Sequence, residues 1–270
     1  MGQEFDGVLQ FRGTWRGYQQ RVLDRSGRYL ADGKIHIVAA PGSGKTTLGI
    51  ELIRRLGKPC LILSPSITIR QQWLERITEG FLVEGNDPHA LLSNDLREMK
   101  PITAITYQAL YSATKQLQGR LEEEMEGDEE PQEGETVDFH NFHLLEAVKA
   151  AHVGTICLDE AHHLRSEWWK ALESFVRGMD GVTIISLTAT PPYDSTPAQW
   201  KRYTDLCGPI DEEIFTPELV REGSLCPHED YVYFNWPTQQ EVSALQAHHQ
   251  RVGQLRAWLM ADERLMQAVA

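Results

Sequence analysis

A chain of 270 residues, 41% of them hydrophobic, is long for one domain and short for two, and it can fill one sizeable core. No apolar run reaches about 18 residues and no basic-then-apolar stretch opens the chain, so neither a membrane span nor a secretory signal is expected. The net charge of −13 argues against a nucleic-acid surface only if it is evenly spread, and it is not. Residues 121–135 hold nine acidic and no basic residues, and the rest of the chain carries 26 basic against 30 acidic ones. Cys60, Cys157, Cys207 and Cys226 show no close pairing, which suits buried thiols in a reducing cytoplasmic setting. Cys207, Cys226 and His228 imitate part of a metal site, but at a spacing that fits no common zinc pattern.

Residues 1–13 read as an irregular arm or edge element. A helix from about Trp15 towards Leu30 places Tyr18, Val22 and Leu23 at helical spacing and ends at Asp32-Gly33. The apolar run Ile35 to Ala40 predicts the first strand, and Thr46 to Leu56 the next helix. Between them lies Ala39-Ala40-Pro41-Gly42-Ser43-Gly44-Lys45-Thr46, a phosphate-binding loop with Ala39 where the strictest pattern has glycine. Glycines let successive N–H groups turn in on phosphate oxygens, and the helix N-terminus adds positive potential. Pro41, Gly42, Ser43, Gly44, Lys45, Thr46 and Thr47 are thus the candidate nucleotide contacts. Lys45 would reach the β- and γ-phosphates, and the Thr46 hydroxyl would hold Mg²⁺.

Further strands are expected at Cys60 to Leu63, Ile102 to Thr106, Thr155 to Leu158 and Val182 to Leu187, with another near 230–234. Helices are expected over Thr68 to Thr78 (Ile69, Trp73 and Ile77 on one face), from Tyr107, and over Phe139 to Ala151. Others are expected over Glu167 to Val176, near 197–206, and from 238 onward. Residues 84–100 are polar and carry no clear element. The acidic run, an insertion over about 119–137, is too charged to bury anything and reads as a solvated loop.

Strands alternating with helices predict an α/β fold, a mostly parallel sheet with helices on both faces. In such sheets ligands bind beyond the carboxyl ends of the strands. Residues 39–46, 64–66, 106–108, 159–163 and 188–190 all fall there. Asp159-Glu160 after a buried strand is the expected partner of the loop: Asp159 to hold Mg²⁺, Glu160 to polarise the water that attacks the γ-phosphate. His162 follows where it can link this site to other loops.

Asp159-Glu160-Ala161-His162 resembles the DEAH box, motif II of the superfamily 2 helicases and translocases. Thr188-Ala189-Thr190 resembles their motif III, which couples nucleotide state to nucleic-acid grip. Pro65-Ser66-x-x-Ile69-x-x-Gln72-Trp73 is similar to motif Ia, with serine for the usual threonine and isoleucine for leucine. Ile105-Thr106-Tyr107-Gln108 resembles a later strand-end motif that touches the nucleic-acid backbone, and Arg16-x-Tyr18-Gln19 the upstream motif whose glutamine reads adenine. The likeness covers about residues 14–192 and is nearest to restriction-enzyme motor subunits and excision-repair-type translocases. It implies a RecA-like P-loop ATPase domain with ATP and Mg²⁺ as cofactors and nucleic acid, DNA more than RNA, as partner. It further implies Gln19 as the adenine reader and strand contacts or coupling at Pro65, Ser66, Thr106, Tyr107, Thr188, Ala189 and Thr190.

In that superfamily a second RecA-like domain supplies arginines to the γ-phosphate. Residues 193–270 are too short to make one and read as an exit segment, so the second domain is expected in a longer protein or a partner chain. Alone, this domain is expected to turn ATP over weakly or not at all. The alternative is a regulatory or assembly module that binds nucleotide without translocating.

Overall fold

The computed structural model describes residues 5–120, 136–164, 166–227, 232 and 235–261. They form two compact units, Met1–Cys226 and Pro227–Ala270. In the first unit the chain alternates strictly at the start: α1 (Gly17–Tyr29), β1 (Lys34–Ala39), α2 (Lys45–Leu56), β2 (Cys60–Ser64) and α3 (Ile67–Gly80). There follow α4 (Pro88–Leu91), β3 (Leu92–Ser93), β4 (Ile102–Thr106) and α5 (Tyr107–Thr114). After β5 (Gln118–Arg120), β6 (Thr136–Asp138) and α6 (Leu144–Ala150) the alternation resumes with β7 (Thr155–Asp159), α7 (Ser166–Arg177) and β8 (Thr183–Thr188). The unit ends with α8 (Pro197–Cys207), β9 (Glu212–Ile214) and α9 (Thr216–Arg221).

Seven strands make one parallel sheet in the order β3-β4-β2-β7-β8-β1-β9, so their carboxyl ends share one edge. Side chains alternate across a strand, and this divides the core in two. Ile35, Ile37, Ile62, Ala104, Cys157, Ile185 and Leu187 point to the face covered by α1, α2 and α3. Leu61, Leu63, Ile105, Ile156, Leu158 and Ile184 point to the face covered by α5, α6, α7 and α8. Strands buried on both sides read as the continuous apolar runs seen in the sequence. The expected α/β architecture with helices on both faces is what forms.

Several local features depart from the sequence reading. The segment 84–100 contributes β3, a two-residue edge strand on β4. Phe139 is buried, but the expected helix from there starts only at Leu144, because Asn141 takes a left-handed turn at φ 59°. The strands β5 and β6 pair antiparallel around the acidic run, which itself lies outside the described residues. The strand expected near 230–234 also falls almost wholly outside them. Beyond residue 192 the sheet gains β9 alongside β1. Buried His36 of β1 fastens that return, with Nδ1 3.1 Å from the Gly208 carbonyl and Nε2 2.9 Å from the Tyr203 hydroxyl.

The arm before α1 is irregular yet docked. Phe5 and Leu9 are buried, and the Gln10 N–H donates to Phe81 at the end of α3. In the second unit α10 (Gln239–Ala261) starts at a Thr238–Glu241 capping pair and buries none of its side chains, Val242 alone being half-buried. Among the described residues no helix is long and apolar enough to cross a membrane.

Candidate nucleotide site

The 40–44 loop leaves the carboxyl end of β1 and turns directly into α2. Gly44 sits at φ 94°, a left-handed conformation that side chains resist, and a Cβ there would meet the Gln19 amide nitrogen at 2.8 Å. Glycine is therefore required at 44 by both backbone and neighbour. The first N–H groups of α2 have no side-chain cap there, the condition under which a helix start can bind an anion.

Three residues at the start of α1 hold this loop by its carbonyl oxygens. Arg16 Nη1 donates to Gly42 at 2.8 Å and also to Ser43. The Tyr18 hydroxyl donates to Ser43 at 2.9 Å, and Gln19 Nε2 to Gly44 at 3.1 Å. The Gln19 oxygen accepts from the Arg16 N–H at 3.0 Å, so both ends of this buried amide are engaged. Within the loop the Ser43 N–H donates to the Ala40 carbonyl at 3.2 Å.

Lys45 closes the loop onto the neighbouring strands. Its ammonium donates to the Ala39 carbonyl at 2.9 Å and lies 3.1 Å from Glu160 Oε1. Thr46 and Thr47 follow it, half-buried in the first turn of α2, while Pro41 and Gly42 are exposed.

Asp159 ends β7 and Glu160 turns the chain sharply at φ 50°, ψ 44°. A non-glycine residue in that region is strained and held by its surroundings. Here the Glu160 N–H donates to Leu187 of β8 at 2.8 Å. One carboxylate oxygen of Glu160 faces Lys45. The other accepts from the Thr188 hydroxyl and from the Ala189 N–H, both at 2.9 Å. Burial alone would raise the Glu160 carboxyl, but the Lys45 charge and these hydrogen bonds outweigh it and hold it below the usual range.

His162 lies between two threonines, with Nδ1 2.7 Å from the Thr188 hydroxyl and Nε2 2.9 Å from that of Thr190. The single Thr188 proton goes to Glu160, so this hydroxyl accepts from Nδ1–H of His162, while Nε2 pairs with the Thr190 hydroxyl. An unbroken chain of contacts thus runs from Lys45 through Glu160, Thr188 and His162 to Thr190.

Asp159 is buried at 5% exposure and is reached by two aromatic side chains, one from the core on each face of the sheet. Trp73 Nε1 donates to its Oδ2 at 2.7 Å, and the Tyr107 hydroxyl donates to its main-chain carbonyl at 3.0 Å. Burial, with a smaller push from the Glu160 charge, drives the Asp159 carboxyl up to about 6 despite the Trp73 bond and the Lys45 charge.

The remaining candidates lie one and two strands further along the edge. Ser66 caps α3, accepting from the Ile69 N–H at 3.2 Å, and Pro65 precedes it half-buried. Thr106 caps α5, accepting from Ala109 at 3.1 Å. Strands β2 and β4 are neighbours with Ser64 opposite Thr106, so the two capped helix starts lie side by side. Tyr107 is buried with its hydroxyl on Asp159, so its side chain faces the interior and only its backbone lies at the edge.

The fold brings together the loop, Lys45, Glu160, His162 and 188–190 at neighbouring strand ends, and Gln19 reaches the loop from α1. The sequence did not reveal the roles of Arg16 and Tyr18 in holding the loop, nor Trp73 as a partner of Asp159. In the sequence Trp73 stands only as one of three residues on a helix face and as the end of the motif Ia likeness. The one available signal was that a buried indole N–H needs an acceptor.

Residues 12–193 match the family described as the type III restriction enzyme, res subunit. Among curated proteins, the DNA 3'-5' translocase XPB2 of Sulfurisphaera tokodaii is 26% identical over 205 residues, covering 76% of this chain and 37% of that protein. The putative ATP-dependent RNA helicase QP509L of African swine fever virus is 27% identical over 184 residues, 64% of this chain and 28% of that protein. The chain thus spans about a third of the length of these relatives. The UvsW helicase of bacteriophage T4 shares the fold, with a TM-score of 0.51 at 14% identity over 76% of this chain and 63% of that one. The chain belongs to the type III restriction enzyme res-subunit family, as a first RecA-like domain of the superfamily 2 helicases and translocases.

Proposed function

We propose that this chain is the ATP-binding motor domain of a helicase or translocase acting on nucleic acid, with DNA as the substrate. The observation that carries the reading is the Lys45–Glu160–Thr188–His162–Thr190 chain of contacts, which joins the glycine loop to the 188–190 segment.

The residues suit ATP and Mg²⁺. The Asp159 carboxylate and Thr46 hydroxyl are hard oxygen donors of the kind Mg²⁺ prefers, and a cation beside Asp159 would favour the ionised form that burial disfavours. Mg²⁺, when bound, would neutralise the phosphate oxygens and polarise the terminal phosphoryl group. Lys45 exchanges its Glu160 contact for the phosphates. Glu160, still held through its second oxygen by Thr188 and Ala189, is then free on the first to orient water. The loop N–H groups of 42–46 and Thr47 at the start of α2 cradle the phosphates, and Gln19 reads the base after releasing Gly44. Ser66, Thr106 and the backbone beside Pro65 and Tyr107 hold phosphates of one strand, and 188–190 relays nucleotide state to that grip.

A second RecA-like domain supplies the arginines for transition-state charge, so this domain alone turns ATP over slowly. The DNA assignment draws support from the translocase relative, which aligns with the larger share of the chain. The test is binding of a labelled single strand, duplex and RNA to the 270-residue chain with a non-hydrolysable ATP analogue, across salt concentrations. Backbone contacts are blind to sequence and release counterions, so DNA affinity should fall steeply with salt and vary little with sequence. An affinity that ignores salt, or no nucleic-acid binding, overturns the motor reading in favour of a nucleotide-dependent assembly module.

A further inference from the structure

Trp73 is the largest fully buried side chain among the described residues, and the chemistry above makes no use of it. Its indole leaves α3 and reaches two other elements. Nε1 donates to Asp159 Oδ2 at the end of β7. The far edge of the ring lies against Gly49 of α2, where a Cβ would fall 2.7 Å from Trp73 Cη2 and 2.7 Å from Leu187 Cδ1 of β8. Glycine is a poor residue for a helix interior, and at 49 what it provides is room for this ring. Phenylalanine or leucine would satisfy an apolar niche. Tryptophan adds one donor on a rigid frame, and that donor meets one oxygen of a carboxylate.

Fixing one oxygen of a planar carboxylate fixes the direction in which the other presents its lone pairs. The main chain of the same residue is fixed by Tyr107 at the start of α5. Asp159 is therefore held at its backbone from α5 and at its side chain from α3, with the far edge of the indole seated against Gly49. Such partners behind a metal ligand orient it and tune its affinity.

We propose that Trp73 is a positioning residue that orients the Asp159 carboxylate for a divalent cation and thereby ties α3, the helix capped by Ser66, to the metal site. The proposal rests on the nucleotide-site reading given above. Movement of α3 is delivered through the indole to the carboxylate, which gives strand contact at Ser66 a short mechanical route to the metal.

The test measures binding of mant-ADP to the 270-residue chain, first in EDTA and then titrated with Mg²⁺. In Trp73→Phe the metal-free affinity should match the wild type, while the Mg²⁺ midpoint should rise roughly tenfold or more, the usual effect of removing a partner behind a ligand. A folded Trp73→Phe protein with an unchanged Mg²⁺ midpoint overturns the proposal, since loss of packing alone would weaken both affinities together. If Trp73→Phe does not melt cooperatively, the wild type labelled with 5-fluorotryptophan is used instead. Mn²⁺ with ADP should then selectively broaden the ¹⁹F resonance of one solvent-shielded indole among the seven tryptophans. No selective broadening overturns the proposal. If the wild type shows no metal-dependent nucleotide binding at all, the nucleotide-site reading itself fails and this proposal falls with it.

Discussion

Asp159→Asn should make the protein more stable at neutral pH. In the folded chain the carboxyl is pushed from its ordinary 3.8 up to about 6, chiefly by burial. Between those two values the native state binds more protons than the unfolded state, so stability falls as pH rises through the window. Above about pH 6 the folded protein carries the whole ionisation penalty, roughly 3 kcal/mol for a rise of this size. Asparagine has no charge to bury and keeps a carbonyl that can accept from Trp73. The variant should therefore gain up to about 3 kcal/mol at pH 7.5, or several degrees in Tm for a domain of this size, and nothing at pH 4. His36 has the opposite slope: burial holds it below its usual 6.5, so its contribution is lost as pH falls. Being present in both proteins, it cancels in the difference. Urea melts of wild type and variant in EDTA at pH 7.5, 6 and 4.5 provide the measurement. A variant no more stable than wild type at pH 7.5, or a gain that does not shrink with falling pH, would refute the reasoning.

Gly49→Ala sets helix propensity, worth up to about 1 kcal/mol in favour of alanine, against overpacking of two buried neighbours, about 1–3 kcal/mol. Because both neighbours are fixed in the core, the clash should win, and denaturant melts should show a net loss of about 1 kcal/mol or more. Thr188→Val keeps the shape but removes the hydroxyl shared by Glu160 and His162. Nucleic-acid-stimulated ATP turnover, measured with the second motor domain supplied, should fall about tenfold or more at unchanged ATP affinity. An unchanged rate would remove the 188–190 segment from the coupling chain.

What the sequence made legible was whatever depends on period or on local spacing. Runs such as Ile102 to Thr106 are buried on both faces and announce themselves as strands, and Gly42-Ser43-Gly44-Lys45-Thr46 needs only its flanks to be placed. The fold class and the clustering of polar residues at the strand ends follow from those alone. The short edge strands Leu92–Ser93 and Glu212–Ile214 were not legible, because two or three residues carry no period and form only where a neighbouring strand offers hydrogen bonds. The late start of α6 depends on one left-handed residue, Asn141, inside an otherwise helical pattern. The Trp73–Asp159 bond joins residues 86 apart in sequence, and nothing local marks a packing tryptophan as the partner of a distant carboxylate. Gln19 was expected beside the loop as an adenine reader, yet its bond to the Gly44 carbonyl emerges only once α1 is folded against the loop.

The central claim is a nucleotide site built on Lys45 and completed by the β7 and β8 loops. The most direct test is calorimetric titration of the 270-residue chain with ATP and Mg²⁺, compared with Lys45→Ala and Glu160→Gln. The account predicts Mg²⁺-dependent, one-to-one binding that Lys45→Ala abolishes and Glu160→Gln preserves or tightens, because Lys45 is then released from its carboxylate partner. Absence of ATP binding in the wild type, or binding that survives Lys45→Ala unchanged, would contradict it.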